Sequence, residues 1–119
     1  MNKTASIAVS LLLVGGWSIG ASVHALSEDT TVSRGHHFAL LVCAACHVVA
    51  TDQGGPPILR TPGPSFEAIA NKPETTAASL RVFLTTTHAK IATPTGMPNP
   101  QLADYEMDEV ISYIMSLRH

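Results

Sequence analysis

The sequence predicts an all-α domain with two long loops, and three observations carry that reading. Apolar residues recur at helical spacing in several stretches, tracts dense in Gly and Pro separate them, and no stretch alternates with a strand's period of two. A length of 119 residues allows one such domain. There is no internal repeat and no low-complexity tract.

The elements follow in order. "LSEDTTVS" is a polar lead-in to "RGHHFALLVCAACHVV", where Phe38, Leu41, Val42 and Ala45 fall at helical spacing, with Thr31 or Ser33 as the cap. "ATDQGGPPILRTPGP" is a loop by its Gly and Pro content. Pro64 opens a short helix over "SFEAIANK", with Phe66 and Ile69 three apart. After Pro73, "ETTAASLRVFLTTTH" places Leu80, Phe83 and Leu84 on one helical face. "AKIATPTGMPNPQL" is the second loop. The chain closes with "ADYEMDEVISYIMSLR", where Val110, Tyr113, Ile114 and Leu117 form an i, i+3, i+4, i+7 stripe.

Residues 1–25 stand apart from this domain. Lys3, an apolar run from Ile7 to Ile19, and small residues at Val23 and Ala25 have the plan of a cleavable export signal. A membrane anchor fits less well, because the apolar run is short for a span of ~20 residues and is broken by Gly15, Gly16 and Gly20. The working domain is therefore expected to be 26–119, exported from the cytoplasm. Without Lys3 it carries six Lys/Arg against nine Asp/Glu, a net charge of −3. That mild acidity argues against nucleic acid or an anionic membrane surface as the main partner. So small a core often leans on a disulfide, metal or cofactor.

The two cysteines of the chain stand in "CAACH". A thioredoxin-like redox pair wants a βαβ context and a helix N-terminus, and neither is present. A zinc site needs two more ligands from His36, His37, His88 and His119, the first two of which diverge on a helix. Haem attachment also explains the histidine. Cys43 and Cys46 each form a thioether with one vinyl group, and His47 turns its imidazole under the iron. Haem c, one per chain, is the expected cofactor.

A second axial ligand would close the iron and favour electron transfer; an open sixth position would favour gas or peroxide chemistry. Met107 and Met115 lie in the closing helix, where methionine is ordinarily core filler. His88 ends a helical stretch. Met97 stands in "PTGMPNP", with Pro98 fixing the backbone just after it, and is the expected sixth ligand. A soft thioether favours Fe(II), so His/Met ligation raises the potential relative to His/His. Arg60 and Lys90, cationic and in loops, are candidates for the haem propionates.

These residues give the chain a resemblance to the small monohaem class I cytochromes c of the bacterial periplasm. Gly35 and Phe38, Cys43, Cys46 and His47, "GPSFEAIA", "MPNPQL", and "DEVISYIMSLR" with Tyr113 run in the family's order over nearly all of residues 26–119. The resemblance implies the class I fold, about four helices and two long loops around one haem. It implies that Gly35 and Phe38 cross the last helix, and that the Pro64 carbonyl accepts the His47 Nδ1–H. That bond would fix the tautomer and leave Nε2 for iron. Ala103 departs from the family's usual Ser or Thr cap, so Asp104 is expected to cap and shift the helix start by a residue.

The function implied is one-electron transfer, not enzymatic catalysis, with transient periplasmic donor and acceptor proteins as partners. Membrane contact would come only through a membrane-bound redox partner. The alternatives are a haem c enzyme or gas-binding sensor with an open sixth position, or the cytochrome subunit of a periplasmic dehydrogenase. Without its haem, the chain should show a cleft among His47, Pro64 and Met97.

Overall fold

The computed structural model describes residues 22–86 and 97–119, with side chains from residue 30 onward. Four helices make up the fold: α1 (Ser22–Phe38), α2 (Phe66–Ala70), α3 (Ala77–Thr85) and α4 (Asp104–Ser116). A π-helical turn, Ala39–Cys43, extends α1. Among the described residues there is no strand, and no helix is long and apolar enough to cross a membrane.

The closing helix α4 is the centre of the fold, and α1, α2 and α3 all pack against it. Met107, Val110, Ile111, Tyr113 and Ile114 are its buried face. Leu117, the last residue of the expected stripe, is half-buried at the C-cap. Ala103, not Asp104, is the N-cap. It is extended (φ −65°, ψ 156°), and its N–H donates to Glu106 Oε2 at 2.9 Å. Glu106 thus supplies the side-chain half of a cap that alanine cannot, and the helix start is not shifted.

Gly35 lies where α1 crosses α4. A Cβ there would overlap the Glu109 carbonyl and come within 2.8 Å of Tyr113 Cβ, so only glycine permits the approach. Ala39, the first residue of the π turn, is fully buried, and Phe38 on α1 is half-buried against the core. Gly35 and Phe38 both lie on α1 as expected, Gly35 against α4 beside Tyr113 and Phe38 packed against the core.

Two further expectations for this helix are corrected. Thr31 and Ser33 lie inside α1, which begins at Ser22, so neither caps it. The stripe of Leu41, Val42 and Ala45 is not buried: Leu41 is 72% and Val42 49% exposed. Leu41 and Val42 fall within the π turn, closed by Ala44 N–H donating to the Ala39 carbonyl at 3.0 Å. Each turn of that kind takes in more residues than an α turn and rotates the side chains after it out of a 3.6-residue stripe. The boundary expected after Ala25 falls within α1, and residues 1–21 lie outside the described residues.

Ser65, not Pro64, caps α2, its hydroxyl accepting from Ala68 N–H at 3.1 Å. Thr76 and Ser79 form a reciprocal capping box at the start of α3. Leu80 and Leu84 are the buried pair of α3, one turn apart, while Phe83 sits at the edge, 38% exposed.

Candidate functional site

The segment from Cys43 to Ala50 leaves regular helix, so its carbonyls need partners elsewhere. The Cys43 carbonyl accepts from the N–H groups of Cys46 (3.1 Å) and His47 (3.0 Å). The Ala45 carbonyl accepts from Ile58 N–H at 3.0 Å, Cys46 from Gly63 N–H at 2.8 Å, and Val48 from Phe66 N–H at 2.9 Å. The Gly/Pro loop after the motif therefore folds back along it and supplies donors one by one. At the far end, the buried Tyr113 hydroxyl donates to the Val49 carbonyl at 2.8 Å.

His47 is buried, 9% exposed. Its Nδ1 lies 2.8 Å from the Pro64 carbonyl, which can only accept, so Nδ1 carries the proton and Nε2 is left with its lone pair. Phe66 packs on the ring at 5.6 Å between centroids, and Tyr113 packs on Phe66 at 6.3 Å. Gly63 lies flat against the imidazole: a Cβ would come within 2.7 Å of Nδ1. The sequence order Gly63-Pro64-Ser65-Phe66 thus gives contact, acceptor, helix cap and ring packing in four consecutive residues.

Cys43 and Cys46 are both free thiols, half-buried. Burial, and next the neighbouring Cys46, push the Cys43 thiol up to about 11. A redox or nucleophilic cysteine needs the opposite shift, towards thiolate. Among the described residues no three His, Cys, Asp or Glu side chains converge on a metal-binding point.

Met97 is half-buried and packs against the core cluster. Asn99 fixes its loop: Nδ2 donates to the Thr85 carbonyl at the end of α3 (3.2 Å), and Oδ1 accepts from Gln101 N–H (2.9 Å). Gln101 takes φ 52°, the left-handed region, and turns the chain from that loop towards α4. Met107 is 3% exposed, and its sulfur accepts from Arg81 Nη1 at 3.5 Å, while Arg81 pairs with Asp108. Met115 also packs against the core. Arg60 is exposed. His88, Lys90 and Pro94 lie outside the described residues.

A family model described as Cytochrome c matches residues 32–118. The chain belongs to the cytochrome c family. It is also 34% identical to cytochrome c-552 of Bradyrhizobium diazoefficiens over 98 residues, covering 82% of this chain and 84% of the relative. No solved structure gives a significant match.

As a cytochrome c, the protein is an electron-transport haem protein with one haem c bound covalently, and its helical fold is the class I fold. The residues present fit that cofactor. Two free thiols precede an imidazole whose free nitrogen is Nε2. Around them Leu41, Val42, Val48 (46% exposed) and Ile58 (83% exposed) are turned to solvent. Four large aliphatic side chains beside one motif are more than a small domain leaves uncovered without a partner for them. Two surface grooves, one along Phe38 and Leu41 and one along His36, Tyr113 and Arg118, lie away from His47, Pro64 and Met97.

Several supporting residues carry no sequence signal. Gln53, Asn99 and the Tyr113 hydroxyl act through backbone groups of distant residues. Arg118 does the same, donating to the carbonyls of Ala70 (3.0 Å), Lys72 (3.1 Å) and Thr75 (2.8 Å). An arginine just past the end of a helix is ordinarily read as solvated; here it closes the C-terminal end of α2.

Proposed function

We propose that this cytochrome c is an exported, periplasmic one-electron carrier, not an enzyme, with His47 and Met97 as its axial iron ligands. The observation that carries the reading is the His47 Nδ1–Pro64 bond at 2.8 Å. It presents Nε2 alone for coordination, directly after the two thiols. Bound haem supplies the couple, iron cycling between Fe(II) and Fe(III). The chain's part is to hold the imidazole in one tautomer and one orientation, so that little geometry changes when the electron moves. Phe66, Gly63 and the buried face of α4 exclude water from the His47 side. Asn99 and Gln101 set the loop that presents the Met97 thioether. Export is supported by the leader-like residues 1–25 and by a covalent attachment chemistry suited to an exported chain. Donor and acceptor proteins would meet the molecule briefly, in contacts burying less than ~1,200 Å².

The test is a spectrum of the mature protein in both oxidation states, beside Met97→Ala. The oxidised protein should show the weak long-wavelength band of an iron–thioether bond, and Met97→Ala should lose it and lower the midpoint potential. A wild-type protein without that band, binding carbon monoxide freely when reduced, would establish the open-site enzyme or sensor instead. Sequencing of the periplasmic protein should give Leu26 as its N-terminus.

A further inference from the structure

We propose that Gln53 is a positioning residue for the His47 imidazole, a role that rests on His47 being an iron ligand. Its half-buried carboxamide uses both ends on the attachment segment's backbone. Oε1 accepts from Val49 N–H at 2.9 Å, and Nε2 donates to the Gly55 carbonyl at 2.8 Å and, on a longer arm, to the Ala44 carbonyl at 3.4 Å. Its own N–H reaches back to the Ala50 carbonyl at 3.4 Å.

The position of these bonds matters more than their number. Ala44 lies between the two cysteines, and Val49 lies two residues after His47. Cys43, Ala45, Cys46 and Val48 have their carbonyls bonded by backbone N–H groups. At Ala44 and at Val49 N–H the same service comes from Gln53. One side chain therefore spans the imidazole's own backbone from before it to after it. Val49 is held on both sides, its N–H by Gln53 and its carbonyl by Tyr113. With both peptides flanking Val49 tied, the segment resists the rotation that would tilt His47, and the Nδ1–Pro64 bond keeps one geometry. A side chain that only stabilised the loop would have no effect on the ring once the protein was folded.

The experiment compares the oxidised holoprotein with Gln53→Met, which keeps length and removes every polar contact, and Gln53→Glu, which keeps the acceptor for Val49 N–H and loses the donors. Thr76→Ala, which removes the α3 cap far from this segment, is the control for lost stability alone. Proton NMR reads the iron-shifted ring protons of His47 and the exchange rate of its Nδ1–H. The expected result is a changed ring-proton pattern and at least tenfold faster Nδ1–H exchange in Gln53→Met. Gln53→Glu should lie between it and wild type, and Thr76→Ala should keep both signals. Wild-type signals in Gln53→Met, or equal changes in Thr76→Ala, would overturn the positioning role. Absence of any iron-shifted His47 ring proton in the wild-type protein would instead overturn the ligand assignment itself.

Discussion

The His47 and Met97 sides of this cytochrome c are built on different terms. On the His47 side the imidazole is buried, its ring nitrogen is bonded, and the carbonyls of Cys43, Ala44, Ala45, Cys46, Val48 and Val49 all have partners. On the Met97 side the side chain is half-buried, and its loop depends on one asparagine and a strained glutamine backbone. A thioether has no second atom to tether, unlike an imidazole. The difference predicts that damage on the first side will appear as lost folding. Damage on the second will appear as altered ligation in a protein that still folds.

The largest effect is expected from Gly63→Ala. Its Cβ would press on His47 Cε1 and Nδ1, and the imidazole cannot give way without breaking the Pro64 bond. Overpacking of this kind should destabilise by about 3 kcal/mol, measured by denaturant unfolding of the holoprotein. A loss no larger than that of an exposed Gly54→Ala would break the contrast, since nothing lies near a Cβ at Gly54.

What made this side legible in the sequence was its covalent chemistry. "CAACH" places two thiols and an imidazole by spacing alone, and the family resemblance adds Gly63-Pro64 beside them. Helices α3 and α4 were legible because their apolar periods are regular. The π turn was not, because nothing in "ALLVC" distinguishes an i+5 bond from an i+4 bond. Leu41 and Val42, which fall within it, are exposed. Gln53, Asn99 and Arg118 were hidden for another reason. They bond backbone groups, which every residue has, so no residue pattern records the pairing. For Tyr113 the aromatic was readable, but its hydroxyl's partner 64 residues away was not.

Tyr113→Phe isolates that partner. It leaves the buried Val49 carbonyl without its donor and should destabilise by about 1.5 kcal/mol. The pH profile supplies an independent check. Burial, and next the Asp52 charge, raise the Tyr113 phenol above its usual 10.0, so the folded state favours the protonated form. The stabilisation is present below pH 10 and lost as pH rises through the higher folded value. Tyr113→Phe should lack that part of the alkaline limb.

A smaller loss of stability, about 1 kcal/mol, is expected from Asn99→Ala, which removes the tie to Thr85 and the turn at Gln101. Its informative readout is ligand exchange. Imidazole added to the oxidised protein should displace the thioether several-fold faster than in wild type, while the His47 ring signals stay in place. Equal disturbance of both ligands would show that the two sides are one cooperative unit.

The smallest effect sharpens the contrast at its outer edge. His36 Nε2 lies 2.9 Å from the exposed Asp52 carboxylate, tying the loop after "CAACH" to α1, and the His36 ring packs on Tyr113 at 5.0 Å between centroids. The hydrogen bond from His36 is the main cause of a lowered Asp52 pKa, from an ordinary value of 3.8. A depressed carboxyl stabilises the fold above its unfolded value, and that contribution disappears as pH falls through the lower folded one. The stability difference between wild type and Asp52→Asn should therefore shrink as pH falls below ~4. Because the charge attraction is the least of the causes, high salt should leave most of the difference intact. Through all of this the His47 ring signals should not move. Val49 remains held by Gln53 and Tyr113 when the outer tie is gone, and a shift in those signals would mean that α1 itself helps to orient the imidazole.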